Sequence, residues 1–551
     1  MNRKTALISA IGVTLAGCGS GDINIDPSTT VSNSNNTINT GDGGGTSVCA
    51  SYLNSGGQTI AGVPEGDNCR YSPSFVDAGN NLTVDLTIPA LENGGAHIFE
   101  GSLFVGQSFG TDMELMNAGI TEGGNGPTLT IEAGATLAFE SAADFMIINR
   151  GSQLFAVGTQ DAPITFTSVS DVTDSLPSFD AVQQWGGMVI NGFGVTNKCE
   201  YTGTVADGDL ATSDCHVRAE GAAGLDESFY GGDNDDDSSG RLEYVLVKHT
   251  GATVGNGDEL NGISFGGVGR NTIVENLQVY STFDDGIEMF GGAVNFTNFV
   301  AVYVRDDSID IDEGWSGTID NALVIQSETI GNHCIEADGI GSFGDLTTDE
   351  IEAIIDQGIN SRPTINKLTC IISPSAVQGD FDQGAGWRLR EGLFGTISDS
   401  MVITSFGADA EDNNYCLRVD NRSQQAAEDG DLNIASTIFA CELPTNGGSL
   451  PGGTTVEQWA IDSGNAFATI MGVTNPTAAA DTDLQLLEGT PPVYSIEFAT
   501  MAVDGTTPPS SDAPQSGTSI GGISLGGTDW IAGWTFGINE DNRSEPLWIE
   551  Q

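Results

Sequence analysis

The chain has 551 residues, of which 17 are Lys or Arg and 76 are Asp or Glu, so its formal net charge is −59. A surface this acidic repels nucleic acid, so we exclude a nucleic-acid partner and expect divalent cations or basic partners. The 75 glycines favour a β protein with many strands and turns.

The first 17 residues have the organisation of a bacterial signal peptide. A basic start precedes a short apolar run, Ala6–Ala16, that is too short to span a bilayer. Residues Leu15 to Cys18 match the lipobox of bacterial lipoproteins, and this resemblance implies cleavage before Cys18 and attachment of lipid to its sulfur. We therefore expect residues 1–17 to be removed. Cys18 then anchors the chain to a membrane, at the outer membrane or the cell surface.

The next segment, residues 18–47, is rich in Gly, Ser, Asn and Thr. That composition is typical of a disordered tether between a lipid anchor and a folded domain. Short β runs begin after it, and we expect residues 48–125 to form an N-terminal β region that caps the fold.

Eight cysteines remain once Cys18 is set aside, and an even number in an exported chain predicts disulfides. Eight cysteines allow 105 connectivities. The local expectation is sequential pairing. The expected pairs are Cys49–Cys69, Cys199–Cys215, Cys334–Cys370 and Cys416–Cys441.

An internal repeat dominates residues 126–445. Six segments align on one inward apolar residue, and a second apolar residue follows two positions later, as expected for one buried face of a strand. Clear spacings of 22 to 26 residues without regular helices indicate a right-handed parallel β-helix, an all-β solenoid. The inward columns are Ile263, Ile287, Ile309, Ile335, Trp387 and Leu417, and then Phe265, Met289, Ile311, Ala337, Leu389 and Val419.

Most repeats carry a second β run, in which Asn276, Asn298 and Asn321 fall in one column. Stacked Asn side chains can hydrogen-bond along a solenoid axis. A β-propeller and a β-sandwich are the alternatives. A propeller blade needs about 40 residues, however, and the strands of a sandwich do not repeat residue columns.

Two further elements interrupt or end the repeat. Residues 347–358 open with a capping box and end at a glycine, which predicts a short inserted helix, a flap pinned by the Cys334–Cys370 disulfide. A second short helix is expected from about residue 454. We expect residues 446–551, which include Trp530, Trp534 and Trp548, to be a C-terminal helix and β region that caps the open end of the solenoid.

Four stretches resemble a large family of bacterial outer-membrane and surface lipoproteins. They are 185–194, 231–245, 259–263 together with 284–288, and the closing 529–534. The resemblance covers roughly residues 95 to 540. It implies a right-handed parallel β-helix outside the cytoplasm, and it implies little about chemistry, because most of that family has no assigned activity.

Residues between the inward columns are expected to face outward. One outward column holds Ser264, Glu288, Asp310, Glu336, Arg388 and Arg418, and we call it the first outward column. The second outward column holds Asp312, Asp338, Arg390 and Asp420. Coils stack about 4.8 Å apart, so the carboxylates form a ladder, and directly opposed like charges destabilise a sheet.

Four things can offset that repulsion: Ca²⁺, the nearby arginines, raised carboxylate pKa values, or hydration. The functional interpretation is a Ca²⁺-assisted ligand groove, and the alternative is an acidic face that is merely hydrated. The candidate Ca²⁺ ligands are Asp285, Glu288, Asp307, Asp310, Asp312, Glu336 and Asp338. The candidate ligand-binding residues are Arg388, Arg390 and Arg418.

A carbohydrate-active enzyme that uses Asp and Glu of this face is the alternative function. Asp284-Asp285 and Asp306-Asp307 are similar to the Asp-Asp motif of polygalacturonase-like hydrolases, but their Gly-His-Gly element is absent. A polysaccharide lyase needs a Lys, Arg or His/Tyr base beside Ca²⁺, for which Lys248, His249 and His333 are the candidates.

The sequence therefore predicts a lipid-anchored β-helix that binds a polysaccharide or an envelope protein, with Ca²⁺ as the one expected cofactor. No catalytic residue is assigned.

Overall fold

The structure is a computed structural model. It describes residues 49–121, 124–220, 228–253, 259–373, 384–403, 414–441, 443–467, 496–497, 519–522, 530–539 and 542–548. The signal peptide 1–17, Cys18 and the tether 18–47 lie outside these residues, so what the sequence predicts for them stays a prediction. Among the described helices, none is both long enough and apolar enough to cross a bilayer.

Sheet A forms one face of the fold and consists of parallel strands stacked coil upon coil. Neighbouring strands come from successive coils, so residues at equivalent positions of the repeat lie side by side. The described strands of sheet A are Leu103–Val105, Met146–Ile148, Met188–Asn191, Ile263–Gly266, Ile287–Phe290, Ile309–Asp312, His333–Asp338, Ala385–Arg390, Tyr415–Val419 and Leu443–Thr445.

Sheet B forms the remaining faces and is parallel except at one hairpin, where Val63–Glu65 pairs with Asn68–Tyr71. Its other described strands are Leu86–Ile88, His97–Phe99, Thr128–Ile131, Thr136–Phe139, Gln153–Val157, Ile164–Ser168, Gly240–Lys248, Ile273–Tyr280, Asn295–Val302, Thr318–Ile325, Thr364–Ile371, Gly395–Ser398, Met401–Ile403, Leu432–Ala435, Ile438–Ala440 and Ala466–Phe467. Among the described residues, three small antiparallel pairs lie outside both sheets. They are Ser51–Leu53 with Thr59–Ala61, Val217–Arg218 with Phe229–Tyr230, and Ile496–Glu497 with Ser519–Ile520.

The parallel β-helix predicted from the repeat is confirmed, including its register. Ile263, Ile287 and Ile309 are paired neighbours in sheet A, and all three are buried in the central core. Trp387 pairs with both Ile335 and Leu417, although the segment between Ile335 and Trp387 is longer than the other repeats. The apolar columns of successive coils therefore stack into one continuous interior.

Sheet B bends at a column of residues in the left-handed backbone conformation. Asn276, Asn298 and Asn321 have φ values of 55°, 61° and 60°. The Asn298 amide donates to the side-chain oxygen of Asn276 (2.9 Å), and the Asn321 amide donates to that of Asn298 (3.3 Å). The predicted Asn ladder is thus present. Asn is suited to this column because it tolerates positive φ and its side chain can bond to the next coil.

All four described disulfides follow the predicted sequential pairing. Cys334 lies in sheet A and Cys370 in sheet B, and both are fully buried in the central core. That disulfide therefore joins two faces across the interior, and it does not pin a surface flap as predicted.

The described α-helices are Asp112–Ala118, Val169–Val172, Thr348–Gln357, Ser423–Asp429 and Val456–Asp462, with 3-10 turns at Glu92–Gly94 and Phe343–Asp345. The inserted helix is confirmed: Thr347 and Glu350 form the capping box, and Gly358 ends the helix in the left-handed conformation. The second predicted helix is Val456–Asp462, with Thr455 as its N-cap.

The predicted position of the C-terminal tail is wrong. Ile531, Trp534 and Ile538 do not cover an end of the solenoid; they pack on its flank against outward side chains of sheet B, among them Leu246 and Val300. The physical reason is that these sheet B strands are apolar on both faces, and the outer face also has to be shielded from water.

The parallel coils also extend beyond the predicted range 126–445. Cys69–Tyr71 already pairs in parallel with His97–Phe99, and Ala466–Phe467 pairs with Ile438–Phe439. These strands have four residues or fewer, which is too short for a periodic pattern to reveal them.

The Asn ladder gives a test of the bend in sheet B. Asn298→Ala removes two hydrogen bonds and places a Cβ-bearing residue without a polar side chain at positive φ, which costs about 1–2 kcal/mol. Asn298→Gly removes the same bonds without that steric cost. We expect the alanine variant to unfold at lower urea concentration than the glycine variant, although alanine is ordinarily the more stabilising residue.

Thr297→Ala, at the neighbouring exposed position, is the matched control and should change the midpoint little. An Asn298→Ala protein as stable as Asn298→Gly would contradict the assignment.

Candidate functional site

The outer face of sheet A changes character from coil to coil. The first outward column runs in paired register from Ser264 through Glu288, Asp310 and Glu336 to the arginines, as predicted. On earlier coils the same column is apolar. Those apolar members are Phe104, Ile147 and Val189, which pack under the small antiparallel pair 217–230. The acidic residues therefore begin where this apolar cover ends.

Three acidic residues from two successive coils converge at the first outward column. Asp285, Glu288 and Asp310 each offer a carboxylate oxygen, and the three oxygens lie within 4.8 Å of one another. Asp285 and Glu288 are buried. Within the described part of the chain, none of the three forms an ion pair with a basic side chain. We call Asp285, Glu288 and Asp310 the acidic triad.

Burial dominates the electrostatics of the triad. It raises the pKa of Asp285 and of Glu288 well above the ordinary range, and neighbouring carboxylates raise both further. The pKa of Asp310 is raised by burial and by Glu336. Next to the triad, burial and Asp306 raise the pKa of Asp284 to about 8. The site therefore has to bind protons or a cation at neutral pH.

Asn261 lies beside the triad. Its amide nitrogen donates to Glu288 (2.6 Å) and to the hydroxyl of Ser264 (3.0 Å). Its side-chain carbonyl oxygen is buried and has no hydrogen-bond partner among the described residues. An unpaired buried carbonyl is costly, and carbonyl and carboxylate oxygens are the ligands that Ca²⁺ prefers. The donor set therefore fits Ca²⁺.

The other predicted Ca²⁺ ligands already have partners. Arg390 bonds Asp338 through two nitrogens (2.5 and 2.9 Å) and Glu336 through one (2.8 Å), and Arg388 also bonds Glu336 (2.9 Å). Asp312 accepts the backbone N–H of Glu313 (2.6 Å). The structure thus places Glu336 and Asp338 with arginines, whereas Asp285, Glu288 and Asp310 form no ion pair with a described basic side chain.

The three arginines predicted to bind ligand are likewise engaged. Arg388 and Arg390 neutralise Glu336 and Asp338, while Arg418 pairs with Asp420 at 2.5 Å. The carboxylates of one coil are therefore balanced by the arginines of the next.

A hydrogen-bonded chain links three coils beside the triad. The Nδ1 atom of His333 lies 2.9 Å from an Asp307 oxygen, and its Nε2 atom lies 2.8 Å from the Tyr415 hydroxyl. Burial lowers the pKa of His333 to about 4, so the ring is neutral at pH 7. A neutral ring that donates from Nδ1 to Asp307 accepts the Tyr415 proton at Nε2. Burial raises the pKa of Tyr415 to about 12, so the phenol keeps its proton in this arrangement, while the nearby guanidinium groups of Arg418 and Arg388 favour the phenolate.

Sequence reasoning missed Tyr415 and left His333 as one of three weak candidates. Tyr415 lies 82 residues from His333 along the chain, and the coil between them places Ala385 at the equivalent position. The sequence did contain a sign of this contact, because His333 and Tyr415 each lie two residues before the inward apolar residue of their strand, Ile335 and Leu417. The other two candidates, Lys248 and His249, lie away from this face beside Asp171.

Comparison with known proteins finds one family. A family model described as a pectate-lyase-like β-helix domain matches residues 114–471, which is more than half of the chain and includes every residue of the site. No curated protein matches the chain, and no solved structure matches it.

The raised pKa of Asp284 gives the site a measurable pH dependence. Folding raises the pKa of Asp284 from near 4, the ordinary value of an aspartate, to about 8. The protonated carboxyl therefore stabilises the fold fully at a pH below 4, and this stabilisation is lost as the pH rises to 8. Asp284→Asn cannot ionise. With chelator present, we therefore expect the melting temperature of the wild type to fall more between pH 5 and pH 9 than that of Asp284→Asn.

Asp349→Asn, on the exposed first turn of the inserted helix, is the control and should follow the wild type. Parallel pH profiles for wild type and Asp284→Asn would show that Asp284 is not held protonated.

Proposed function

Because the chain belongs to the pectate-lyase-like β-helix family, we propose that it is an envelope protein that binds an acidic glycan through Ca²⁺ on the outer face of sheet A. The observation that carries this proposal is the acidic triad with the unpaired carbonyl of Asn261 beside it. Three converging carboxylates without a basic partner favour a divalent cation over simple hydration.

The acidic nature of the glycan follows from the same charge argument. A polyanion is repelled by a bare carboxylate face, but a bound Ca²⁺ can bridge a sugar carboxylate to the triad. The family name points to pectate, which is a polyuronate of this kind. Phe290, half-buried in the column next to Asp312, offers an aromatic surface for a sugar ring on the same face.

The envelope location rests on the sequence alone. Cys18 and the tether 18–47 would hold the β-helix away from a membrane, at the outer membrane or the cell surface. In that setting the acidic face is open to polysaccharide or to a protein of the envelope. The net charge of −59 argues against nucleic acid as a partner.

The ectodomain is here the chain after the lipidated Cys18, residues 19–551. Calorimetric titration of the ectodomain with Ca²⁺ tests the cation site. We expect Glu288→Gln to weaken Ca²⁺ binding at pH 8 by about tenfold or more, because a ligand and its charge are lost. Asp349→Asn, the exposed control, should bind Ca²⁺ like the wild type. Equal affinity for Glu288→Gln and wild type would remove the triad as a metal site.

A second candidate function is a polysaccharide lyase, and the Asp307–His333–Tyr415 chain favours it. In such a lyase the phenolate form of Tyr415, which Arg418 and Arg388 favour, would take the proton from C5, next to the uronate carboxylate. The bond from C4 to the leaving oxygen breaks, a C4–C5 double bond forms, and the leaving oxygen takes a proton from water.

The lyase candidate predicts an increase in ultraviolet absorbance when the protein is incubated with polygalacturonate and Ca²⁺. Tyr415→Phe should lower that rate by about 100-fold or more, while its Ca²⁺ affinity stays that of the wild type. No absorbance change with the wild type, together with retained glycan binding, would leave binding as the function. New reducing ends without absorbance would instead indicate hydrolysis.

A further inference from the structure

A second surface, built from other elements than the acidic triad, has the features of a docking site. A cavity of about 570 Å³ opens beside the helix Asp112–Ala118. Its apolar wall is formed by Leu115, Met116, Ile120 and Phe193. This volume lies in the range of ligand sites.

The helix leaves two large apolar side chains in water next to this cavity. Met113 is 67% exposed and Met116 is 73% exposed, whereas Leu115 is buried. Exposed methionines are frequent at surfaces that bind partner proteins, because the unbranched thioether adapts to different shapes.

The rim of the cavity is negative. Asp112, Asp214 and Asp233 line it, and Asp214 is largely exposed. The basic residue of the wall, Arg150, is 4% exposed and is already satisfied. Its guanidinium donates to the backbone oxygens of Phe109, Cys215 and Gly231 at 2.7 to 3.0 Å.

His216 does not add positive charge to the rim. Arg150 also donates to Nδ1 of His216 (2.7 Å), so the ring proton sits on Nε2, which donates to Asp112 (3.0 Å). The imidazole is therefore neutral in this arrangement, and the three carboxylates of the rim outnumber the one guanidinium of the wall.

We propose that this surface docks a partner protein through a basic segment, with a lysine entering the cavity and apolar neighbours covering Met113 and Met116. A lysine matches the site because its aliphatic stem can pack on Met116 and Ile120 of the cavity wall while its ammonium group meets the acidic rim. A small cation would leave both methionines in water. The proposal is independent of the glycan site.

The test uses a fluorescent synthetic peptide, Gly-Leu-Leu-Lys-Leu-Leu-Gly, and the intact ectodomain at physiological salt. We expect saturable binding by anisotropy, weakened about tenfold or more by Met113→Ser with Met116→Ser, and likewise by Asp214→Asn. Val63→Ser removes an equally exposed apolar side chain elsewhere and is the matched control. A peptide with norleucine in place of lysine should bind at least tenfold more weakly.

Three results would overturn the proposal. Equal loss in Val63→Ser, or no loss in any variant, would mean that the peptide binds the acidic surface without a site. Equal affinity for the norleucine peptide would remove the role of charge. Hexylammonium that binds as tightly as the peptide would indicate a small-molecule cavity. Circular dichroism of each variant, which alters only exposed positions, confirms that the fold is retained.

Discussion

The parallel register of sheet A is the constraint on which the site depends. Each coil returns to the same face one strand spacing away, about 4.8 Å, so residues at one position of the repeat are forced to be neighbours. Glu288 pairs with Asp310, and Asp310 pairs with Glu336. Acidic residues in this column on consecutive coils must lie side by side, because separating them would require a shift of the whole coil.

Repulsion between like charges in the first outward column is handled in three ways along sheet A. On the first described coils this column is apolar, and the antiparallel pair of Val217–Arg218 with Phe229–Tyr230 covers it. The last coils alternate sign, so that Arg388 and Arg390 balance Glu336 and Asp338. Between them the acidic triad is largely buried, and none of its members forms an ion pair with a basic side chain in the described part of the chain. The repulsion is left for protons or a bound cation to relieve, which is why this stretch of the face is the candidate site.

Much of this arrangement could be predicted from the sequence because the solenoid repeats. One aligned residue fixes the register of a coil, and alternation then assigns every neighbour to the inside or the outside. The inward column and the Asn ladder followed from this rule. Sequential disulfides and the helix Thr348–Gln357 followed from local spacing.

What escaped prediction depends on contacts that no repeat encodes. Some strands of sheet B are apolar at consecutive positions, as in Val300–Val302, which indicates that both faces are buried. The sequence does not show that the tail around Trp534 covers the outer face. The chain from Asp307 through His333 to Tyr415 crosses an insertion of unpredictable length.

The fold and the family therefore explain how carboxylates come to be crowded, and the central claim is that Ca²⁺ relieves the crowding. Anomalous diffraction from crystals of the ectodomain grown with Ca²⁺ at pH 8 tests this most directly. We expect an anomalous peak about 2.3–2.6 Å from oxygens of Asp285, Glu288 and Asp310, with the Asn261 carbonyl among its ligands. Crystals that show no peak there, with the three carboxyl groups hydrogen-bonded to each other, would contradict it.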